Sequence, residues 1–344
     1  MGKPQGPKES LAAGFPRGGV CGINHQDNPR PRNRPARKRQ AVPKIKRRWA
    51  AEEATLHEFS YEAPTTVDQA VKLLSADGDS ARVICGGTDL LIQMRNAVRK
   101  PKLLVDVKSI PEMREIKFDP KTGLRLGAAV PCIEIHESQV MHKHYPGLTE
   151  AAHLIGSLQI QSRASIGGNL CNASPAADTS PSLLALGAIA KIAGPGGTRE
   201  VPVEKFFTGP GSNVLQRGEM VVQILIPAPA PHTSDRYIRM IPRNEMDIAI
   251  VGAGASLTLD GDKVTAARIG LAAVAPTPIL APKAAEYLIG KKLDEKTAER
   301  AGELAREASV PIDDMRGTAE YRVHVVGVLT RRALLGAAER ARQN

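Results

Sequence analysis

The chain has 344 residues, 42% of them hydrophobic and 24% charged, a composition that buries a sizeable core and leaves room for two or three domains. Aromatic residues make up 3% of the chain, which argues against a base-stacking platform for nucleic acid, and no apolar run reaches the ~18 residues of a membrane span. The net charge of +11 is concentrated in residues 1–55, where 13 Lys and Arg face 4 Asp and Glu, while the other 289 residues hold 34 against 32.

The basic segment contains RPRNRPARKRQ (Arg30 to Gln40) and KIKRR (Lys44 to Arg48), with abundant Gly and Pro and little apolar patterning. That composition predicts a disordered tail over residues 1–55. A nucleic-acid patch, a membrane-surface anchor and an export signal are open readings, beside a solvated tail or an upstream start. The arginines lead into WAAEEATLHEF rather than an apolar segment, which counts against export.

Order is expected from Leu56. The run FSYEAPTTVDQAVKLLSA places a turn at Pro64, an N-cap at Thr66 and apolar residues at Val67, Ala70, Val71 and Leu74, the spacing of one helix face. ARVICGG (Ala81 to Gly87) reads as a β-branched strand ending on two glycines, and TDLLIQMRNA has helical character. LLVDV (Leu103 to Val107) and LRLGAAV (Leu124 to Val130) read as strands, and helices are predicted at Cys132 to Val140, Leu148 to Ile155 and Pro181 to Ala188. AKIAG, REVPV and MVVQILIP are strand-like, and this alternation points to α/β organisation. PAPAP (Pro227 to Pro231) is a linker candidate. Beyond it YIRMIP, AIVGAGASLTLD and KVTAARIGLAAVA are three strand-like runs, with a hairpin turn at Asp260-Gly261-Asp262. Helical patterns near Pro282 to Ile289, Glu295 to Glu307 and Tyr321 to Ala341 complete the chain as a three-stranded antiparallel sheet covered by helices.

Two short loops share one design: CGGTDL (Cys85 to Leu90) and SIGGN (Ser165 to Asn169). Glycine lets the backbone approach a ligand closely, and consecutive N–H groups in such a turn make an anion-binding concavity. A helix opening after Gly87 would add a favourable dipole for a phosphate. Two such loops could clamp a pyrophosphate from both sides. Neither fits G-x-G-x-x-G or G-x-x-x-x-G-K-[ST], which disfavours the common dinucleotide fold and the P-loop NTPases. Thr88, Ser165 and Asn169 can donate without adding charge, and Asp178 is suited to accept from a ribose hydroxyl. Asp178 could equally cap the helix starting near Ser182 or form a loop salt bridge.

CGGTDL, RASIGGNLCNASPAAD, RNEMDIAIVGAGA and GLAAVAPTP, in this order, resemble the FAD-binding medium subunit of the molybdenum hydroxylases, the xanthine dehydrogenase and carbon monoxide dehydrogenase family. The resemblance runs from about Phe59 to near the C-terminus and is strongest to the carbon monoxide dehydrogenase branch. Ser162 departs from the family pattern.

The resemblance implies an α+β fold. Two α/β subdomains form a PCMH-type (vanillyl-alcohol-oxidase-like) FAD-binding domain over residues 56–228, and a C-terminal domain follows over 235–341. It also implies roles. Cys85, Gly86, Gly87, Thr88 and Asp89, with Ser165, Ile166, Gly167, Gly168 and Asn169, would hold the FAD pyrophosphate. Asp178 would meet the adenosine half, and backbone near Val221 would approach the flavin ring. Arg239 stands where some relatives carry a lysine near the flavin, and its planar donor fork differs from a point charge in reach and geometry.

The family's division of labour puts substrate chemistry on a molybdopterin-containing large subunit. Electrons pass through a [2Fe–2S] small subunit to FAD and on to an external acceptor such as a quinone, NAD or oxygen. A dimer of heterotrimers is implied, and no catalytic acid or base is expected here. Low cysteine use favours a reducing cytoplasm, with the inner face of the membrane open as a place of work. His136, His142 and His144 do not complete H-E-x-x-H, and Cys21, Cys85, Cys132 and Cys171 lack metal-ligand spacing, so no metal site is expected. Two other readings stand beside this one. A self-contained FAD oxidoreductase would need a His or Tyr base over the flavin, and no clear candidate appears. A basic-tailed nucleic-acid-binding protein would lose binding with residues 1–55.

Overall fold

The computed structural model describes residues 56–243 and 246–344, so the basic tail, with the disorder expected of it, lies outside the described residues. The first layer is a small parallel sheet of β1 (Ser60–Glu62), β2 (Ala81–Ile84) and β3 (Leu103–Asp106), in the order β1-β3-β2. Helix α1 (Val67–Asp77) crosses from β1 to β2, and α2 (Leu90–Arg95) from β2 to β3. Thr66 caps α1, its side chain accepting from the Gln69 N–H, and Ala70 and Leu74 form its buried stripe. β3 is buried along its whole length, as expected of a strand with neighbours on both edges and a helix on its face.

The second layer starts with the antiparallel pair β4 (Ile116–Asp119) and β5 (Gly123–Gly127). Helices α3 (Cys132–Glu137), α4 (Gln139–His144), α5 (Pro146–His153), α6 (Leu158–Gln161), α7 (Ile166–Asn172) and α8 (Thr179–Ala185) follow. The chain returns through β6 (Ile189–Gly194) and β7 (Gly197–Pro202), a small hairpin of β8 (Phe207–Gly209) and β9 (Ser212–Asn213), and β10 (Met220–Ile226). β10 runs between β5 and β6 in a sheet of order β4-β5-β10-β6-β7. Its MVVQILI side chains are buried on both faces, and its pairing with β6 carries a bulge between Val221 and Gln223. The two layers share one apolar core that runs from Ala70 to Ile226.

A second core belongs to the C-terminal part. There β11 (Thr233–Met240), β12 (Val251–Asp260) and β13 (Lys263–Ala272) form the antiparallel sheet read from the sequence. A two-residue strand, β14 (Ile279–Leu280), extends it to four; so short a stretch carries no alternation to read. Helices α9 (Pro282–Leu288), α10 (Glu295–Glu307) and α11 (Ala319–Ala341) cover one face. Helices α10 and α11 meet at Gly302 and Gly327, where a Cβ on Gly302 would stand 2.5 Å from the Gly327 carbonyl oxygen. No described helix is long and apolar enough to cross a membrane.

The two cores are joined by contacts that side chains would obstruct. Gly254 of β12 and Gly270 of β13 are register partners, and helix α8 rests on both. A Cβ on Gly254 would meet the Pro181 carbonyl carbon at 2.7 Å, and one on Gly270 the Pro181 oxygen at 2.3 Å. Beside this seat Asp235 of β11 points at the start of α5, where its Oδ2 accepts from the Leu148 N–H at 3.1 Å. A Cβ on Gly147 would stand 2.6 Å from that oxygen. Glu150 of α5 accepts from the Tyr237 N–H and pairs with Arg236 and Arg340, which adds β11 and α11 to the joint.

Burial raises the Asp235 carboxyl from its ordinary 3.8 to about 7, and its Oδ1 is buried without a partner. A carboxyl raised on folding contributes stability that is full below about pH 4 and is lost as the pH rises through about 7. Asp235→Asn removes this titration and keeps an acceptor for Leu148. Urea unfolding at pH 5 and pH 8 is therefore expected to show the variant gaining on the wild type as the pH rises. An unchanged difference between the two would mean that Asp235 is not the titrating group.

Candidate functional site

The first glycine loop leaves β2 at Cys85 and enters α2 at Leu90. Gly87 has φ +75°, a conformation that a side chain would strain. The loop is anchored from below. Lys108 Nζ donates to the Cys85 carbonyl at 2.9 Å and to Asp106 Oδ2 at 2.6 Å, and the Tyr61 hydroxyl donates to the same carboxylate. Burial works against the Asp106 charge, but the bonds from Lys108 and Tyr61 outweigh it and hold this carboxyl below its ordinary value. Strands β1 and β3 thereby fix the position of the loop.

The second loop is the start of a helix. Ser165 is the N-cap of α7 and its Oγ accepts from the Gly168 N–H at 3.1 Å, so Gly167 and Gly168 lie in the first turn. Gly167 is required by packing, since its Cβ would stand 2.5 Å from both Cβ and O of Ala128. The two loops touch through backbone: a Cβ on Gly86 would fall 1.8 Å from the Arg163 carbonyl oxygen and 2.9 Å from the Ala164 nitrogen. Gln93 of α2 donates to Asn172 of α7 at 3.1 Å and ties the same two elements together.

Between them opens a cleft of about 500 Å³. Cys85, Gly86, Gly87, Thr88, Asp89, Ser165, Gly167, Gly168, Asn169 and Val221 all line it. The Cys85 and Cys171 thiols at its wall are pushed up to about 11 and about 12, in both cases chiefly by burial, and stay protonated. Burial also raises the Asp89 carboxyl of the first loop above its ordinary value.

Three of the residues picked out from the sequence lie elsewhere. Ile166 is buried in the core. Asp178 and Arg239 do not line the cleft but meet each other. Arg239 Nη1 donates to Asp178 Oδ2 at 2.6 Å, and the Tyr237 hydroxyl donates to Oδ1 at 2.8 Å. Asp178 takes the N-cap position of α8 but makes no capping hydrogen bond with its side chain. Burial pushes its carboxyl up, against the pull of Arg239 and Tyr237. The side chains of Asp178 and Arg239 are 13% and 6% exposed, so each is the other's main compensation for lost water. The next residue, Thr179, donates to Asn169 Oδ1 at 2.6 Å, so the pair touches the cleft at one remove.

Gln93, Asn172 and Lys108 were not picked out from the sequence. Asn172 follows Asn169 by three residues on one helix, a same-face spacing that could have revealed it. Lys108 and Gln93 carry no such signal.

The residues fit a diphosphate-bearing cofactor. The N–H groups of Gly86, Gly87, Thr88 and Gly167 make no hydrogen bond to a protein acceptor among the described residues. Gly167 is buried and the other three are half-buried on the cleft wall, so a ligand in the cleft can supply the acceptors. The glycines hold open the space a cofactor backbone needs, and the cleft is of the size that takes a nucleotide-like ligand.

Comparison with known proteins agrees. Residues 57–229 match the family described as the FAD binding domain in molybdopterin dehydrogenase, and residues 236–337 match the CO dehydrogenase flavoprotein C-terminal domain. The xanthine dehydrogenase FAD-binding subunit of Escherichia coli O157:H7 is 31% identical over 82% of this chain and 97% of its own length. The carbon monoxide dehydrogenase medium chain of Hydrogenophaga pseudoflava is 33% identical over 81% of this chain and 96% of its own. Among solved structures, the carbon monoxide dehydrogenase of Hydrogenophaga pseudoflava superposes with a TM-score of 0.79 at 33% identity, covering 83% of this chain and 99% of that one. Quinoline 2-oxidoreductase from Pseudomonas putida 86 gives 0.77 at 32% identity, with the same coverage.

Two variants probe this geometry. Gly86→Ala forces the loops apart and is expected to leave less than about a tenth of the wild-type FAD per chain, read from absorbance after release. Gly209→Ala, whose Cβ meets nothing within 4 Å, is expected to keep the full complement. For the buried pair, Asp178→Asn or Arg239→Met alone is expected to cost about 3–5 kcal/mol in urea unfolding. The double variant is expected to cost well below the sum, because neither charge is then left stranded.

Proposed function

The chain belongs to the FAD-binding medium subunits of the molybdenum hydroxylases, and we propose that in such an enzyme it receives electrons from a [2Fe–2S] partner subunit and passes them to an external acceptor. Its cofactor is FAD, and it is an oxidoreductase component. When bound, FAD supplies the redox chemistry. The protein supplies binding, position and electrostatics.

In this reading the free N–H groups of Gly86, Gly87, Thr88 and Gly167 hold the diphosphate from two sides. The Thr88 and Ser165 hydroxyls and the Asn169 amide add neutral donors, and backbone at Val221 forms the wall beyond them. Donors fixed in place before the diphosphate arrives bind it without reorganisation. Asp178 and Arg239 act indirectly: they hold α8 against β11, and Thr179 then fixes the Asn169 amide. No side chain of this chain acts as general acid or base.

The partners in this reading are a molybdopterin-containing large subunit and a [2Fe–2S] small subunit, assembled as a dimer of heterotrimers in the cytoplasm. The acceptor is a quinone, NAD or oxygen. The observation that carries the reading is the convergence of two glycine turns, 81 residues apart from Gly86 to Gly167, on one cleft with backbone donors left free.

The purified chain is expected to be yellow, with one FAD per chain and no iron. In the complete complex, a substrate of the molybdenum subunit is expected to bleach the flavin absorbance. A folded chain that takes up no added FAD would overturn the cofactor assignment. Flavin that stays oxidised in an active complex would overturn the electron-transfer role.

A further inference from the structure

A side pocket of about 190 Å³ opens beside the FAD cleft, lined by Asp79, Arg82, Val98, Arg99, Lys100 and Pro101. Asp79, Arg82 and Arg99 belong to both cavities, whereas Lys100 faces the side pocket alone. Three cations therefore border this space against one carboxylate.

None of the three is paired with a carboxylate within 4.0 Å among the described residues, and Arg99 and Lys100 are exposed. Arg82 is half-buried on β2, and its guanidinium donates to the Ala81 carbonyl at 2.7 Å. Arg99 Nε donates to the side-chain oxygen of Gln93 at 3.0 Å. Burial, and then the positive charge of Arg99, lower the Arg82 pKa, while Asp79 only partly offsets them.

The arrangement is also held in place. Gln93, which positions Arg99, is fixed on its other side to Asn172 across the cleft. The turn that brings Arg99 back passes through Ala97 at φ +55°, a left-handed conformation that costs energy for alanine. The Val98 and Arg99 N–H groups both donate to the Gln93 carbonyl, and Lys102 N–H donates to Ser80. Like charges held beside one cavity repel each other, and an anion between them would relieve that repulsion. The volume is below the ~300–1,000 Å³ of pockets that take whole ligands, so it suits a single anionic group.

We infer that this side pocket is a phosphate subsite, separate from the diphosphate loops, that binds a phosphate dianion, either free or as the terminal group of a phosphate monoester. Arg82 and Arg99 supply forked donors and Lys100 a third charge, the donor set that phosphate oxygens favour. The bound anion would bridge β2 to the segment after α2 and brace the mouth of the cofactor cleft.

The test uses the full chain loaded with FAD, titrated calorimetrically at constant ionic strength so that screening is not mistaken for binding. The probes are inorganic phosphate and glycerol 3-phosphate. Saturable binding of one phosphate per chain is expected. Tighter binding of inorganic phosphate would identify the free anion as the ligand, and tighter binding of glycerol 3-phosphate the monoester. Lys100→Gln is expected to weaken binding about fivefold with FAD content unchanged, and Lys100→Arg to restore it. Three results would overturn the inference: no saturable binding to the loaded chain, unaltered binding by Lys100→Gln, or phosphate binding only to FAD-free protein. The last would assign the cations to the cofactor's own diphosphate and would leave the FAD assignment standing.

Discussion

Helix α8 sits on bare backbone, and the rest of the site depends on that contact. Gly254 and Gly270 face each other across β12 and β13 and leave a seat with no side chain in it. The Pro181 backbone fills the seat, with distances that no Cβ could share. The position of α8 sets where Asp178 and Thr179 stand, and Thr179 sets the Asn169 amide at the cleft wall. A structural choice in the C-terminal sheet is thus felt at the cofactor loops through one short helix. Close packing transmits such constraints because interiors have little slack.

The joint around this helix is made of carboxylates in unfavourable places. Asp178 and Asp235 are both raised by burial, and both face backbone or cations from a separate part of the chain. Glu150 collects Arg236, Arg340 and the Tyr237 N–H from β11 and α11. Buried ion pairs contribute little net stability against well-packed apolar substitutes. Their geometric demands are strict, however, and here they set the register between α5, α8 and β11. An apolar joint would tolerate sliding; this one does not.

At the cleft the design is the reverse. Apart from the Asp89 carboxyl, the two loops line the cleft with neutral donors, and Lys108 beneath the first loop is already committed to Asp106 and the Cys85 carbonyl. Lysine therefore shapes the loop instead of drawing the anion itself. Of the other charged groups bordering the cleft, Asp79, Arg82 and Arg99 lie where it meets the side pocket, and Arg217 and Glu219 lie elsewhere along its wall. Neutral donors held rigidly cost no reorganisation when the ligand arrives. Gly86 against the Arg163 carbonyl provides that rigidity.

Much of this was legible in the sequence. The Thr66 cap, the helix face at Ala70 and Leu74, the Asp260-Gly261-Asp262 hairpin and the two glycine turns are local events, set by propensity, spacing and steric freedom within a few residues. Local signals also suggested neutral donors at Thr88, Ser165 and Asn169, and the cleft lining includes all three. The sequence did not decide which of the remaining polar residues would meet. Asp178 reads alike as ligand, cap or salt-bridge partner, and only folding brings Arg239, 61 residues on, to within 2.6 Å of it. The register of β11 on α8 determines that distance, and no window of sequence contains it. Gln93 with Asn172, and Arg82 with Arg99 beside the side pocket, are of the same kind. The sequence by itself determined which segments could turn, cap and pair, because those energies are local. Only the tertiary structure decided which charges were buried together, because that depends on where water is excluded.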